Sequence, residues 1–331
     1  MGPSKGRVSL ETARSRPAVT RRCGRHPHQR RDIEMHAVKN LIFHGVGLGA
    51  MGLAAARHRI GGYRRPTDFA SEDLTQAIAH VVGIVQDWND TLSRLGTHPR
   101  SVRGLDVLEL GPGATLGTGV LLRGFGASSY LAVDVNELAA QTPSAFYRMI
   151  AEAPLPDGCD PAIVRAVAES LAQGREAGVG YATDPDFDIV RAAAGRTFDV
   201  VVSNAAFEHF DDVDAVIADL GPVMRPGAVF IAMVDFQTHS RWVRRVDPNS
   251  IYRIGPSLYR AMTFPGQPNR LRPRDYLESL ARHGWRDAQV HPVDRAPPDY
   301  LAWSRRSLAA DYRDDEARMD VLTGIVTARK P

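Results

Sequence analysis

The sequence predicts an α/β fold: a Rossmann-like, doubly wound sheet of seven strands, mostly parallel with an antiparallel last strand. Three observations carry that expectation. Residues 105–110 form an apolar run (Val107, Leu108, Leu110) that stops at a glycine cluster, and Leu121-Leu122 resumes on a helix. Strand, glycine turn and helix in that order open a nucleotide-binding sheet, because glycine lets the backbone turn sharply and approach a ligand with no Cβ in the way. Further apolar runs follow at 129–135, 179–182, 198–204, 228–234 and 285–293, with helical stretches among them,. The last run, residues 321–328, closes the sheet as the antiparallel strand.

The N-terminal part is different in kind. The chain has 331 residues, 44% hydrophobic and 24% charged, which is ordinary for a soluble globular protein with room for one large domain and additions,. Its positive charge is concentrated: residues 1–32 hold nine Lys/Arg and two acids, so that of a whole-chain charge of +3, residues 33–331 carry −4. The folded part is therefore mildly acidic, which argues against a nucleic-acid footprint. Residues 1–34, rich in Arg, Pro, Ser and His, read as a disordered basic tail,. Met35 offers a second start, and residues 35–57 read as an apolar N-terminal helix or surface anchor. Within it, Leu41–Ala56 is apolar, glycine-rich and interrupted by His44; so short a run falls below the ~20 residues that span a bilayer. It suits a helix that docks on the protein or makes a peripheral membrane contact through 41–56. A signal peptide, with Lys39 ahead of the run and Ala54-Ala55-Ala56 behind it, is the alternative,. Cys23 and Cys159 have neither metal nor disulfide spacing, and a reducing cytoplasm is the simple reading of localisation,.

From Phe69 to Leu95 the pattern is helical: Ser71 followed by Glu72-Asp73 makes a good N-terminus, and Leu74, Ile78, Val81, Val82 and Val85 recur at helical spacing, extended by Trp88 and Leu92,. The glycine turn comes next. A dinucleotide fingerprint wants glycine at the first, third and sixth positions. Gly111 and Gly113 fit, but the sixth position is Leu116 and the next glycine is Gly117. Glu109 also lies two residues before the first glycine, where a carboxylate would repel a pyrophosphate and suit a ligand with a cationic end. This stretch resembles motif I of the class I S-adenosylmethionine-dependent methyltransferases. The resemblance covers roughly residues 58–330 and implies S-adenosyl-L-methionine as cofactor, with Glu109, Gly111 and Gly113 among the groups that hold it.

The second strand ends in Asp134 and Val135. A carboxylate at that strand end can accept both ribose hydroxyls, a feature shared with NAD enzymes. Residues 137–178 form an insertion of mostly helical character, broken by Pro154, Pro156, Gly158 and Pro161. After the third strand, Asp184 falls where the resemblance places the acceptor for the adenine amino group; Asp186 and Asp188 compete for the role. The fourth strand runs into Ser203-Asn204-Ala205-Ala206-Phe207-Glu208-His209. In the family this strand end lies against the methionine half of the donor, which implicates Asn204 and Ala205. His209 is either a base or a structural histidine.

Val213–Met224 reads as a helix ended by Arg225-Pro226-Gly227, and Ala228–Val234 as a strand ending at Asp235. A subgroup found with sugar and polysaccharide biosynthesis carries acid-x-x-acid-His after this strand and Asn-Arg-Leu before a late helix. Here Asp235, His239 and Asn269-Arg270-Leu271 fit, while Thr238 replaces the second acid. The segment 236–275, rich in Arg and Tyr, reads as a lid or substrate wall,. Arg274–His283 reads as a helix capped by Gly284, and Tyr300–Arg318 as a helical insertion.

The resulting expectation is an S-adenosylmethionine-dependent methyltransferase that O-methylates a sugar or small natural-product hydroxyl. Methyl transfer is an in-line displacement at a sulfonium carbon, so the protein must align the acceptor, exclude water and take a proton from the hydroxyl. His239 is the first candidate for that proton, on the rim where α/β sheets bind ligands, with His209 second. The partner is a small-molecule or glycan acceptor, and no carboxylate cluster demands a metal ion. A non-catalytic donor-binding scaffold is the alternative; an NAD-dependent oxidoreductase is disfavoured by Glu109 and by Leu116 at the sixth position.

Overall fold

The computed structural model describes residues 27–61, 73–96 and 99–331, with side chains of the first helix described from Met35 to Ile60. The expected tail lies outside the described residues over 1–26, as does the expected helix start at Phe69 and Ser71. Residues 27–34 are not tail but the first turns of helix α1 (Pro27–Gly61). Within α1 the apolar stretch is also longer than the 41–56 segment suggested: Met35–Ile60 is 26 residues, long and apolar enough to cross a membrane by length and composition.

Helix α2 (Leu74–Arg94) is capped by Asp73, which accepts from the Thr75 amide,. There follow β1 (Asp106–Leu110), α3 (Gly117–Gly124), β2 (Ser129–Asp134), α4 (Ser144–Glu152), α5 (Pro161–Ala172), β3 (Val179–Thr183), α6 (Ile189–Ala193) and β4 (Phe198–Asn204). The chain continues through α7 (Val213–Val223), β5 (Met224–Asp235), α8 (Arg241–Arg244), α9 (Pro256–Ala261), α10 (Pro273–Arg282), β6 (Arg286–Arg295), α11 (Pro298–Ser304) and β7 (Val321–Arg329). The seven strands form one sheet in the order β3-β2-β1-β4-β5-β7-β6. β7 runs antiparallel to both its neighbours and all other pairings are parallel.

Alternation along the strands divides the core. Val107, Tyr130, Ala132, Val200 and Val202 face α2 to α5, whereas Leu108, Leu131, Val133, Val201 and Phe230 face α6, α7 and α10,. Three glycines of α3 bring that helix close to its neighbours, Gly117 to α2 and α4, Gly119 to the sheet and Gly124 to α5. A Cβ on Gly119 would stand 2.6 Å from the Tyr130 ring, and one on Gly124 2.5 Å from Cys159 Sγ. Arg225-Pro226-Gly227 does not separate helix from strand. It lies inside β5 as a bulge, where pairing with β4 jumps from Met224 to Val229 and Gly227 adopts φ +80°,.

The expected lid is a cap with its own core. Ile251, Tyr252, Ile254 and Tyr259 pack with Met51 of α1 and with Leu308, Ala317 and Met319. The helical insertion expected over Tyr300–Arg318 is α11 followed by two short 3₁₀ turns, Arg305–Ser307 and Ala310–Tyr312. Several of the Arg and Tyr side chains of this segment are used inside the cap. Arg253 is fully buried against Asp247 and Asn40, and Arg272 donates to the carbonyls of Phe236, Ala317, Arg318 and Val321.

Candidate active site

The order β3-β2-β1-β4-β5 reverses direction between β1 and β4, and ligands of open α/β sheets bind outside the strand ends at such a switch point,. Both glycine-rich and small-residue turns of the sequence meet there. The Gly111 amide donates to Val133 O and the Ala205 amide to Met233 O, so each turn is fastened to the strand beside it. A Cβ on Gly111 would lie 2.6 Å from the Ala206 Cβ, and Gly111 has φ +70°. Only glycine meets both demands. Gly113, φ +71°, is different: a Cβ there would meet nothing within 4 Å. Its backbone faces open space beside Asp134, which its amide also approaches. Ala205 holds φ +52°, strained for a residue with a Cβ, and stands exposed where Asn204 ends β4,.

Asp134 is nearly buried; its Oδ1 accepts from the Asn136 amide at 3.1 Å, and burial raises its pKa. Val135 beside it is partly exposed. A nearly buried carboxylate at the end of β2, an open glycine backbone at the end of β1 and a small-residue turn at the end of β4 make a cradle that fits an adenosyl donor. Glu109 lies one layer deeper. Its Oε2 accepts from Thr118 Oγ1 at 2.6 Å and Tyr130 OH at 2.5 Å, and burial pushes its pKa up to about 7. The sequence supplied the acid but not the two hydroxyls that hold it. Asp184 already has partners for both oxygens: Arg191 Nε and Nη2 at 2.5 and 2.7 Å, with the amides of Asp186 and Asp188 on Oδ1. Arg191 holds its pKa down at about 2. The structure thus gives Asp184 the work of closing a turn, and an adenine amino group would have to compete with a guanidinium.

His209 and His239 come together from two strand ends, with ring centroids 4.8 Å apart. His209 Nδ1–H donates to Gly266 O at 2.7 Å, leaving Nε2 free of that bond. His239 Nε2 faces Asp235 Oδ2 at 3.6 Å, and Asp235 also pairs with Arg244. Burial lowers both histidine pKa values, and the neighbouring His209 helps bring His239 to about 4; both rings are neutral at pH 7. Glu208, unassigned in the sequence, lies with them: one ligand-type atom from each of Glu208, His209 and His239 falls within 4.8 Å of the others. Donors sharing one ion stand about 3.0–3.4 Å apart, so the three would have to draw closer to hold a metal. Neither Glu208 oxygen closes a hydrogen bond among the described residues, and burial raises its carboxyl to about 8. Asn269 fixes this turn to the cap: its amide donates to Glu208 O, and its Nδ2 to Phe207 O and Phe210 O.

Residues 79–290 match the family model described as a methyltransferase domain. No curated protein matches the sequence. Among solved structures, the CurJ carbon methyltransferase is 14% identical, with 92% of this chain and 71% of that chain covered and a TM-score of 0.47. A Haemonchus contortus phosphoethanolamine N-methyltransferase 2 is also 14% identical, with 74% and 52% covered and a TM-score of 0.39, so the chain spans about half of that protein. The YcgJ protein of Bacillus subtilis is 14% identical, with 76% and 98% covered and a TM-score of 0.37.

Proposed function

The chain belongs to the methyltransferase-domain family and uses S-adenosylmethionine, and from that premise we propose that it O-methylates a hydroxyl of a sugar or small natural product. The observation that carries the acceptor side is the pair of neutral imidazoles, His209 and His239, on the rim beside the cradle. The bound donor supplies an electrophilic methyl group on a positively charged sulfur. The residues of the chain do the rest. Asp134 would accept from the ribose hydroxyls of the donor, the Gly113 backbone would line it, and the turn at Asn204 and Ala205 would stand against its methionine half. The acceptor hydroxyl enters on the side of β5, where His239 takes its proton as the oxygen attacks. A neutral imidazole with a free ring nitrogen is suited to that step. Asp235, 3.6 Å from Nε2, steadies the imidazolium that forms. Such a reaction belongs in the cytoplasm, where the donor is made and used.

The test is a panel of sugars and phenolic or polyketide alcohols incubated with isotope-labelled donor. With a true acceptor in hand, His239→Ala should lower turnover by ~10²–10⁴-fold and leave donor affinity nearly unchanged. Turnover that collapses only in His209→Ala would reverse the two roles. Donor binding without turnover on any acceptor would favour a scaffold.

A further inference from the structure

Helix α1 is seated on the cap along one side only. Asn40 Nδ2 donates to Trp303 O at 2.7 Å, and Asn40 Oδ1 accepts from Arg253 and Ser307. Gly47 lies against Ser250, Met51 and Ala55 are buried, His58 stacks on Phe264, and Arg59 donates to Ala261 O. These positions mark one helical stripe fastened at both ends. The opposite stripe carries Val38, Leu41, Ile42, Val46 and Leu53, all exposed, Leu41 by 75%. A soluble surface helix puts polar residues there; this one is apolar on both sides. Met35–Ile60 contains no Asp or Glu, while Arg57 flanks the outward stripe and is exposed. Helix α8 packs against α1 and adds Trp242, 90% exposed, between the exposed Arg241 and Arg245.

We propose that the outward face of α1, with Trp242 of α8, docks on an anionic lipid bilayer, the helix lying in the plane of the interface. Aliphatic side chains enter the acyl boundary, an indole sits at headgroup depth, and arginines meet lipid phosphates, with no carboxylate over Met35–Ile60 to oppose them,. The helix does not cross the bilayer, because its anchor points from Asn40 to Arg59, about 28 Å apart on the helix axis, all rest on the cap. Trp242 is three residues from His239, a reach of at most ~11 Å, so the candidate acceptor rim opens at the headgroup layer. The proposal concerns the surface alone and holds whether or not the acceptor is a hydroxyl.

The experiment uses the full chain and large unilamellar vesicles of phosphatidylcholine with roughly one-third phosphatidylglycerol, against pure phosphatidylcholine, by flotation at low and high salt. Binding should favour the anionic vesicles and weaken with salt. Leu41→Asp with Leu53→Asp should cut partitioning by about tenfold or more while melting temperature and donor affinity stay put, since both side chains are exposed. Trp88, Trp285 and Trp303 are buried, so a vesicle-induced blue shift in tryptophan emission should vanish in Trp242→Phe. The proposal is overturned if the wild type stays in the soluble fraction with anionic vesicles, or if the double variant floats as well as the wild type. It is equally overturned if light scattering shows a dimer that the double variant dissociates, for the face would then belong to a second copy.

Discussion

Glu109→Gln isolates the buried acid beneath the glycine turn. In the folded chain the carboxyl releases its proton at about 7, against 4.5 when exposed, chiefly because burial disfavours the charge. That difference corresponds to about 3 kcal/mol of preference for the neutral form, an upper figure. The folded pKa is raised, so between pH 4.5 and 7 the unfolded chain binds fewer protons than the folded one and stability falls as pH rises. The contribution is present in full below pH 4.5 and is lost as pH climbs through 7. Glutamine removes this titration while its carbonyl oxygen can still accept from Thr118 and Tyr130, the bonds seen at 2.6 and 2.5 Å.

The assay is urea or thermal unfolding of both proteins at pH 5 and pH 8. Other groups titrate over this range, Glu208 among them, so the quantity to read is the difference between the two pH slopes. The wild type should lose up to about 3 kcal/mol more than the variant, several degrees of melting temperature for a chain of this size. Donor binding gives a second readout. A cationic amino group beside Glu109 would draw out its proton, so calorimetry at pH 7 in buffers of different ionisation enthalpy should report release of roughly half a proton from the wild type and none from Glu109→Gln. Parallel pH slopes in the two proteins would mean that Glu109 stays charged in the fold, and the burial reasoning would fail.

Other expectations follow from the same geometry. Gly111→Ala forces a Cβ to within 2.6 Å of the Ala206 Cβ at φ +70° and should cost about 2–4 kcal/mol in a denaturant melt; Gly113→Ala, with nothing within 4 Å, should cost only ~1 kcal/mol yet weaken donor binding. Asp134→Ala should lower donor affinity by about 10–100-fold, the worth of charge-assisted bonds to two hydroxyls. The acid limb of kcat/KM should fall near pH 4 rather than at the ordinary 6.5 if His239 is the base, because burial and His209 lower its pKa. Asn40→Ala should destabilise the chain by about 2–4 kcal/mol, since it leaves the Trp303 carbonyl and Arg253 Nη1 without the Asn40 amide, while Asp247 still holds the rest of the guanidinium.

What was legible in the sequence is what local pattern controls. Apolar runs bounded by Gly, Pro and Asp placed the strands to within a few residues, and the two turns at 111–113 and 204–206 announced themselves by glycine and small residues. What was illegible depends on contacts far apart in the chain. The state of Glu109 depends on Tyr130, which only the parallel pairing of β1 with β2 brings to it. Asp184 looked free until Arg191, one helical turn into α6, closed on it. The Arg and Tyr of 236–275 suggested a ligand wall because composition does not say which way a side chain points; Tyr252, Tyr259, Arg253 and Arg272 are turned inward against α1 and the residues that follow β6. The Arg225-Pro226-Gly227 stretch looked like a helix stop, and the bulge that absorbs it inside β5 appears only once β4 is alongside.

Arg272 shows how the cap and the rim become one unit. Its fully buried guanidinium donates to four backbone carbonyls, and Asp275 accepts from its backbone amide. A buried charge survives only where its donors are satisfied, and removing them leaves a penalty of several kcal/mol. One of the four carbonyls belongs to Phe236, which also accepts from Tyr252 OH of the cap core. Phe236 stands between Asp235 and His239, so the backbone that carries the candidate base is held by cap residues. Asn269 does the same from the other side, binding the carbonyls of Phe207, Glu208 and Phe210 and so fixing His209. The two imidazoles are therefore positioned by the layer on which α1 is seated. Loosening that layer, by Arg272→Ala or Asn40→Ala, should shift turnover more than donor affinity, because the cradle at Gly113 and Asp134 is built by β1 and β2 without help from the cap.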